Sequence, residues 1–324
     1  MQINSTLMAA VISLIAALIL TPLVRRLAIR LDVVAHPGGR RVHTRTTPLM
    51  GGIAMYVGFI LAVVITVVVS RRLVFDMQTI GILVGATYVA IVGVIDDRYE
   101  LPGWFQAASI VISGVILVMF GVRVQHITNP FQGGQLMWLG WLGIPLTLVW
   151  VLMVTKAVDC MDGLDGLAAG IATIASATLM LMAIRSGQRF EMSAVMAAAL
   201  LGGTLGFLRY NYPPAKIFMG TVGAQFLGFM LAGISIAGAF KIAAFVAVVA
   251  PVMVLGVPLF DTAFVVLRRI ATGKKIHEAD TSHLHHRLVD KGFSHRQVVW
   301  FIYALTMILC AAAYLLFTYS LSRG

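Results

Sequence analysis

Long apolar runs separated by short polar segments make up most of this chain. A helix needs about 20 predominantly apolar residues to cross a bilayer. Runs of that length lie near residues 5–24, 50–70, 78–95, 105–122, 141–158, 164–184, 192–208, 220–240, 242–267 and 297–318. They are too long and continuous for barrel strands, and lipid offers no partner for an open backbone. The pattern therefore predicts an all-α polytopic membrane protein, a helical bundle of about ten transmembrane helices.

The amino-acid composition also indicates that most of this chain is surrounded by lipid rather than water. Of the 324 residues, 60% are hydrophobic and 11% are charged, and the mean hydropathy is +0.94. Such a chain is too apolar for a soluble core wrapped in a polar surface. The first apolar run lacks a basic stretch before it and a small-residue cleavage site after it, so we expect a retained helix. No repeat, low-complexity tract or long linker divides the chain, which predicts one domain over residues 1–324.

The basic residues are distributed unevenly between the two faces of the predicted bundle. Ten spans place the connections after spans 1, 3, 5, 7 and 9 on one face, which then carries 17 of the 24 lysine and arginine residues. Positive residues concentrate in cytoplasmic loops. We therefore expect this face to be cytoplasmic and both termini to lie outside. The net charge of +11 also suits anionic lipid head groups.

The acidic residues and histidines fall on the same face. It holds 11 of the 13 acidic residues and seven of the eight histidines. Acidic residues contribute little to the orientation rule, so their position is a separate observation. Carboxylates, imidazoles and cations thus crowd one membrane face, where a phosphorylated cytosolic substrate could be met.

Two acidic motifs stand out in this apolar chain. In IVGVIDDRYEL, Asp96 and Asp97 end the third run, and adjacent carboxylates repel each other unless a cation or a shared proton relieves them. In VDCMDGLDGLA, Asp159, Asp162 and Asp165 share roughly one side if the segment is helical. A solvated helix end and a helix-capping loop are the alternative interpretations. Acids beside an apolar run are costly unless they pair or face water, which favours a functional interpretation.

Three further polar segments belong to the same face. GGRRVHTRTTPLMGG (38–52) could hold phosphates or simply follow the positive-inside rule. DTSHLHHRL (280–288) could bind metal or phosphate or form a polar helix surface, and a zinc site is poorly supported because no cysteine joins it. RYNYPPAKIFMGTVGAQ (209–225) is by itself an ordinary interhelical turn broken by two prolines.

Taken in order, RRVH, TPLMGG, IDDRYEL, DGLDGLA, YNYPPAKIFMG and HLHHRL resemble the polyprenyl-phosphate N-acetylhexosamine-1-phosphate transferases. That membrane family, glycosyl transferase family 4, includes the transferase that makes the first lipid intermediate of peptidoglycan. The resemblance runs from Asp32 to Lys291 and its combination of motifs is highly specific.

The resemblance implies a reaction at the cytoplasmic face of a bacterial cytoplasmic membrane. Undecaprenyl phosphate would take a sugar 1-phosphate from a UDP-N-acetylhexosamine, most simply UDP-N-acetylglucosamine, and UMP would leave. The product would begin a cell-envelope polysaccharide such as lipopolysaccharide or teichoic acid. Mg²⁺ is the implied cofactor, with Mn²⁺ as the alternative. Membrane lipids are implied partners and nucleic acid is not, while a homodimer, the identity of the sugar and a direct or covalent mechanism stay open.

The resemblance also implies roles for individual residues. Asp96 and Asp97 would serve the prenyl phosphate and the metal, one of them as a base, while Asp162 and Asp165 would line the nucleotide site. The implied catalytic residues are Asp96, Asp97, Asp162, Asp165 and His283. The implied substrate-binding residues are Arg41, His43, Lys156, Asn211, Phe218, His285, His286 and Arg287. The implied metal ligands are Asp97, Asp159 and Thr221.

Several positions depart from the family pattern. Thr221 stands where the family has a metal-binding aspartate, Gln106 where it has a lysine and Ala224 where it has a serine. Lys156 and Asp159 occupy positions where the family commonly has asparagines. We therefore hypothesise that two charges have moved within one cleft, with Asp159 substituting for the carboxylate missing at Thr221 and Lys156 for the cation missing at Gln106.

Two other classes of function compete with an active transferase. A noncatalytic paralogue would bind prenyl phosphate or nucleotide without turnover, in a regulatory or scaffolding role. A transporter would use intramembrane charges, but here the acids are predicted at one face rather than at the middle of the membrane.

Overall fold

The computed structural model describes residues 2–35, 46–128, 136–238, 252–271 and 283–322. The principal helices are α1 (Gln2–Arg30), α2 (Gly52–Ser70), α3 (Met77–Tyr99), α4 (Gly103–Met119), α5 (Gly143–Met161), α6 (Leu167–Arg185), α7 (Glu191–Asn211), α8 (Gly220–Ala237), α9 (Gly256–Ala271), α10 (Leu284–Asp290) and α11 (His295–Leu321). Two short antiparallel hairpins pair β1 (Val34–Ala35) with β2 (Thr47–Pro48), and β3 (His126–Thr128) with β4 (Leu136–Trp138). Single 3₁₀ turns at Gly140–Leu142 and Gln188–Phe190 precede α5 and α7.

The helices confirm the predicted fold class. Eight of them, α1, α2, α3, α5, α6, α7, α8 and α11, are long and apolar enough to cross a membrane. The fourth predicted span corresponds to the shorter apolar helix α4. The predicted span 242–267 begins outside the described residues, and α9 covers its second half. The protein is therefore an all-α polytopic membrane protein.

Helix α8 lies at the centre of the bundle. Its apolar window is 89% buried, and it packs against α2, α3 and α5. Small residues make this close packing possible, as in many membrane bundles. A Cβ atom at Gly228 of α8 would press on the backbone of Thr155 in α5, and one at Gly93 of α3 would press on Val222. The central helix thereby brings its first turn against the last turns of α3 and α5, where the acidic motifs lie.

The segments before α2 and α8 are joined to each other. The N–H of Phe218 donates to the carbonyl of Pro48 (2.8 Å), and the N–H of Gly52 donates to the carbonyl of Met219 (2.9 Å). Gly52 also lies so close to the backbone of Gly223 that no Cβ atom fits there. The glycine therefore permits a contact that fixes the start of α8.

Substitution of Gly52 by alanine is expected to lower the unfolding temperature in detergent. Overpacking a closed contact costs about 1–3 kcal/mol, and here the neighbour is backbone that cannot rotate away. Gly103→Ala is the matched control, because its Cβ atom would meet nothing within 4 Å. Equal thermal stability of the two variants would contradict the close contact.

Candidate active site

A cavity of about 970 Å³ opens at the end of the bundle where α3, α5 and α7 finish and α6 and α8 begin. It is lined by five aspartates, Asp96, Asp97, Asp159, Asp162 and Asp165. The two acidic motifs, separated by about sixty residues of sequence, thus meet in one space. Asn211, Phe218, Thr221 and His286, all predicted site residues, line the same cavity.

Asp97 is held by the first turn of α8. Its Oδ1 accepts a hydrogen bond from the backbone N–H of Thr221 (2.7 Å). The N-terminus of a helix favours a negative charge through its free N–H groups and its dipole. Gly220 has φ = 70° and lies against this carboxylate, so a side chain there would meet both a strained backbone and Asp97. Oδ2 of Asp97 is buried and has no hydrogen-bond partner in the described part of the protein.

Asp96 belongs to a chain of polar contacts along the cavity wall. Its Oδ1 accepts from the N–H of Leu101 (3.0 Å) and from Nε2 of Gln106 (2.9 Å). Oε1 of Gln106 accepts from Nζ of Lys156 (2.7 Å), which also pairs with Oδ2 of Asp159 (2.8 Å). An ammonium group can only donate and a carboxylate can only accept, so the amide of Gln106 is fixed in one orientation. Lys156 is thereby linked to Asp96 through one side chain.

The surroundings of Asp162 disfavour the negatively charged form of its carboxyl group. It follows directly after α5, and burial raises its pKa well above the usual range, with further contributions from Asp159, Asp97 and Asp165. A cation brought into the cavity would relieve this repulsion.

Asp165 and Asn211 connect the two loops that frame the cavity. Oδ2 of Asp165 accepts from the N–H of Ala215 (2.8 Å). Asn211, only 1% exposed, accepts from the N–H of Gly166 (3.1 Å) and donates to the carbonyl of Ile217 (3.0 Å). These polar atoms therefore hold the loop between α5 and α6, residues 162–166 and here called the aspartate loop, against the segment before α8. Their predicted contact with a nucleotide stays a prediction.

Residues 283–287, here called the histidine segment, lie beside the aspartate loop. His283 and His285 are buried, whereas His286 lines the cavity. A Cβ atom at Gly163 would overlap the imidazole of His285, so the glycine makes room for this ring. The side chain of Arg287 is exposed, and its guanidinium lies over the ring of Phe264 in α9, 5.1 Å from the centroid. Arg41 and His43 lie outside the described residues.

The two buried histidines have opposite electrostatics. Burial alone would lower the pKa of His283, but its hydrogen bond to Asp261 and the neighbouring Cys160 outweigh burial and raise the pKa to about 9. Burial and the charges of His286 and His283 lower the pKa of His285 to about 3. At neutral pH, His283 is therefore a cation and His285 a neutral ring.

Asp261 was missed as a site residue by sequence reasoning. It lies on α9, is 8% exposed and accepts from Nδ1 of His283 and from the N–H of Leu284, both at 2.7 Å. A single carboxylate within an apolar run was the available signal, since such residues are usually paired or functional.

The donor set of the cavity suits a hard divalent cation. Within the described residues no group of three or more His, Cys, Asp or Glu side chains forms a ready metal cage. Mg²⁺ is commonly held by one or two carboxylates, with substrate phosphates and water completing its shell. The unpartnered buried oxygen of Asp97 and the crowding of carboxylates around Asp162 fit that mode of binding.

Comparison with known proteins agrees with the motifs. The family model described as glycosyl transferase family 4 matches residues 79–239. A probable undecaprenyl-phosphate N-acetylglucosaminyl 1-phosphate transferase of Bacillus subtilis (strain 168) is 36% identical over 308 residues, covering 95% of this chain and 84% of the relative. A decaprenyl-phosphate N-acetylglucosaminephosphotransferase of Mycobacterium leprae is 35% identical, covering 91% and 80%. An undecaprenyl-phosphate alpha-N-acetylglucosaminyl 1-phosphate transferase of Escherichia coli (strain K12) is 26% identical, covering 90% and 77%.

Proposed function

The chain belongs to glycosyl transferase family 4, and on that basis we propose that it transfers N-acetylglucosamine 1-phosphate from UDP-N-acetylglucosamine to undecaprenyl phosphate. The products are undecaprenyl-diphosphate N-acetylglucosamine and UMP. The names of the relatives support the prenyl phosphate acceptor and the sugar. The product would start a cell-envelope polysaccharide.

The observation that carries this proposal is the acidic cavity at the ends of the helices, where a buried oxygen of Asp97 finds no hydrogen-bond partner within the part of the chain that the structure describes. Both substrates are anionic phosphates, so a transferase must neutralise charge and align the attacking oxygen with the diphosphate. A prenyl tail lies in lipid, and a site at the end of the spans lets its phosphate enter while the tail stays there. The positive-inside distribution supports the cytoplasmic face of a bacterial inner membrane as the location of this end.

The residues divide into groups by what they do in this reaction. Asp97, fixed by the first turn of α8, would hold Mg²⁺, or Mn²⁺ in its place, with Asp159 and Thr221 as further ligands. The cation would supply positive charge to the phosphates. Asp96 is positioned by Leu101 and Gln106 and is the candidate to take the proton of the prenyl phosphate. His286 faces the same cavity and is the candidate contact for a donor phosphate.

The network around Lys156 supports the hypothesis of relocated charges. Nζ of Lys156 reaches the amide of Gln106, the position where the family has a lysine. The positive charge therefore stays beside Asp96 although it comes from another helix. Asp159 lines the same cavity as Thr221, which supports the matching shift of a carboxylate.

Release of UMP from UDP-N-acetylglucosamine by the purified protein, with undecaprenyl phosphate, tests the proposed function. We expect release with Mg²⁺, a lower rate with Mn²⁺ and none with EDTA. Omission of the lipid acceptor is the control, and it should abolish release beyond a single turnover. Measurable UDP binding with no release from any UDP-N-acetylhexosamine would favour the noncatalytic paralogue instead.

A further inference from the structure

Helix α9 fixes the histidine segment at two neighbouring points. The carboxylate of Asp261 accepts hydrogen bonds from both the imidazole of His283 and the backbone of Leu284. One helical turn later, the ring of Phe264 lies beneath the guanidinium of Arg287. Residues three and four apart lie on one face of a helix. One face of α9 therefore receives the start and the middle of α10.

The same segment contacts the aspartate loop on its other side. The side chain of Cys160, at the end of α5, lies beside His283. Two residues further along, His285 fills the space that Gly163 leaves open. His283 and His285 thus connect α9 and the start of α10 with the aspartate loop.

Only His286 among the three histidines lines the cavity. Its ring lies 4.2 Å from the ring of His285, centroid to centroid. The position of His286 therefore depends on the two buried rings before it, and through His283 on the carboxylate of α9.

We propose that Asp261 is a positioning residue of the transferase: by anchoring His283 and the first turn of α10, it holds His286 in the cavity. This inference rests on the proposed function. Asp261 is outside the cavity lining and acts through the histidine segment, not on the substrates.

The isosteric variant Asp261→Asn tests this role. Asparagine can still accept from Leu284, but it cannot balance a charged His283. We expect kcat/KM for UDP-N-acetylglucosamine to fall about tenfold or more, because small displacements of a catalytic group cost up to about 10²-fold in rate. Asp290→Asn is the matched control. This exposed carboxylate lies at the end of α10, the helix that Asp261 anchors, and the variant should retain wild-type kinetics.

Alkylation of Cys160 provides a structural readout that is independent of turnover. Cys160 is partly exposed and lies beside His283, whereas the only other cysteine in the sequence, Cys310, is buried. Peptide mapping after treatment with a small maleimide should show that the labelling rate of Cys160 in Asp261→Asn differs from the rate in the wild type, because the neighbouring His283 loses its anchor. Labelling of Cys310 should be unchanged, which controls for unfolding.

A double-mutant cycle separates positioning from general destabilisation. If Asp261 acts through His283, the pair Asp261→Asn and His283→Ala should lose no more activity than the worse single variant. The proposal would be overturned if the loss of activity in the double variant equalled the product of the two single losses. It would also be overturned if Asp261→Asn kept the wild-type kcat/KM. A wild-type protein without transferase activity would remove the proposed function, and unchanged labelling of Cys160 in Asp261→Asn would then separately overturn the anchoring.

Discussion

Replacement of Asp97 by asparagine is expected to lower the rate of UMP release by about 10²–10⁴-fold, the range for loss of a group that assists proton transfer or charge neutralisation. The amide oxygen can keep the hydrogen bond from Thr221, so the local shape is preserved. What is lost is the negative charge of the buried oxygen that has no hydrogen-bond partner among the described residues. The measurement is kcat at saturating concentrations of both substrates.

Folding of this variant should be intact. Asp97 lies within electrostatic range of Asp96 and Asp159, so removal of its charge relieves repulsion, and the unfolding temperature should not fall. Asp32→Asn is a suitable control, because Asp32 is exposed and its φ of 54° is one that asparagine also adopts. Transfer by Asp97→Asn at a rate near that of the wild type would refute the assignment of this carboxylate.

Lys156→Asn is expected to reduce transfer by about 10²–10³-fold, comparable to loss of one preorganised charge or donor in a closed site. Without the ammonium group, Asp159 loses its ion-pair partner and the amide of Gln106 is free to turn its oxygen toward Asp96. Because the defect is the loss of a cation at one place, Gln106→Lys in the same chain should restore most of the activity. The measurement is kcat for the single and double variants.

The carboxylate half of the hypothesis has a parallel test. Asp159→Asn should lower activity, and Thr221→Asp added to it should restore part of the rate. The two double variants are Lys156→Asn with Gln106→Lys and Asp159→Asn with Thr221→Asp. If neither regained activity, the charges would not be interchangeable within the cavity. An Asp159→Asn variant as active as the wild type would leave the relocation without support.

The composition of the cavity could be anticipated from the sequence. Acidic residues are scarce in this chain, and a charge next to an apolar run is too costly to be placed there without a partner or access to water. For that reason the sequence alone indicates a functional cluster, and the structure places all five of its aspartates in the lining of one cavity: Asp96, Asp97, Asp159, Asp162 and Asp165.

The partners of these side chains could not be anticipated. Asp165 is held by the backbone of Ala215, 50 residues away, and Lys156 reaches Gln106 across the same separation. Nothing in the sequence pairs Asp261 with His283, which lies 22 residues further along the chain and immediately precedes α10. The position of the Arg287 guanidinium over Phe264 was likewise beyond the sequence, and its contact with substrate stays a prediction.

The sequence by itself determined the helical class, the approximate spans and the residues with the potential for chemistry. These follow from local properties, the length of apolar runs and the cost of a charge in lipid. The tertiary structure alone decided which carboxylate oxygen lacks a hydrogen-bond partner among the described residues, which of His283, His285 and His286 faces the cavity, and which side chains join the loops. Those outcomes depend on how closely α8 approaches α3 and α5, a packing distance set by glycines on different helices that no single segment encodes.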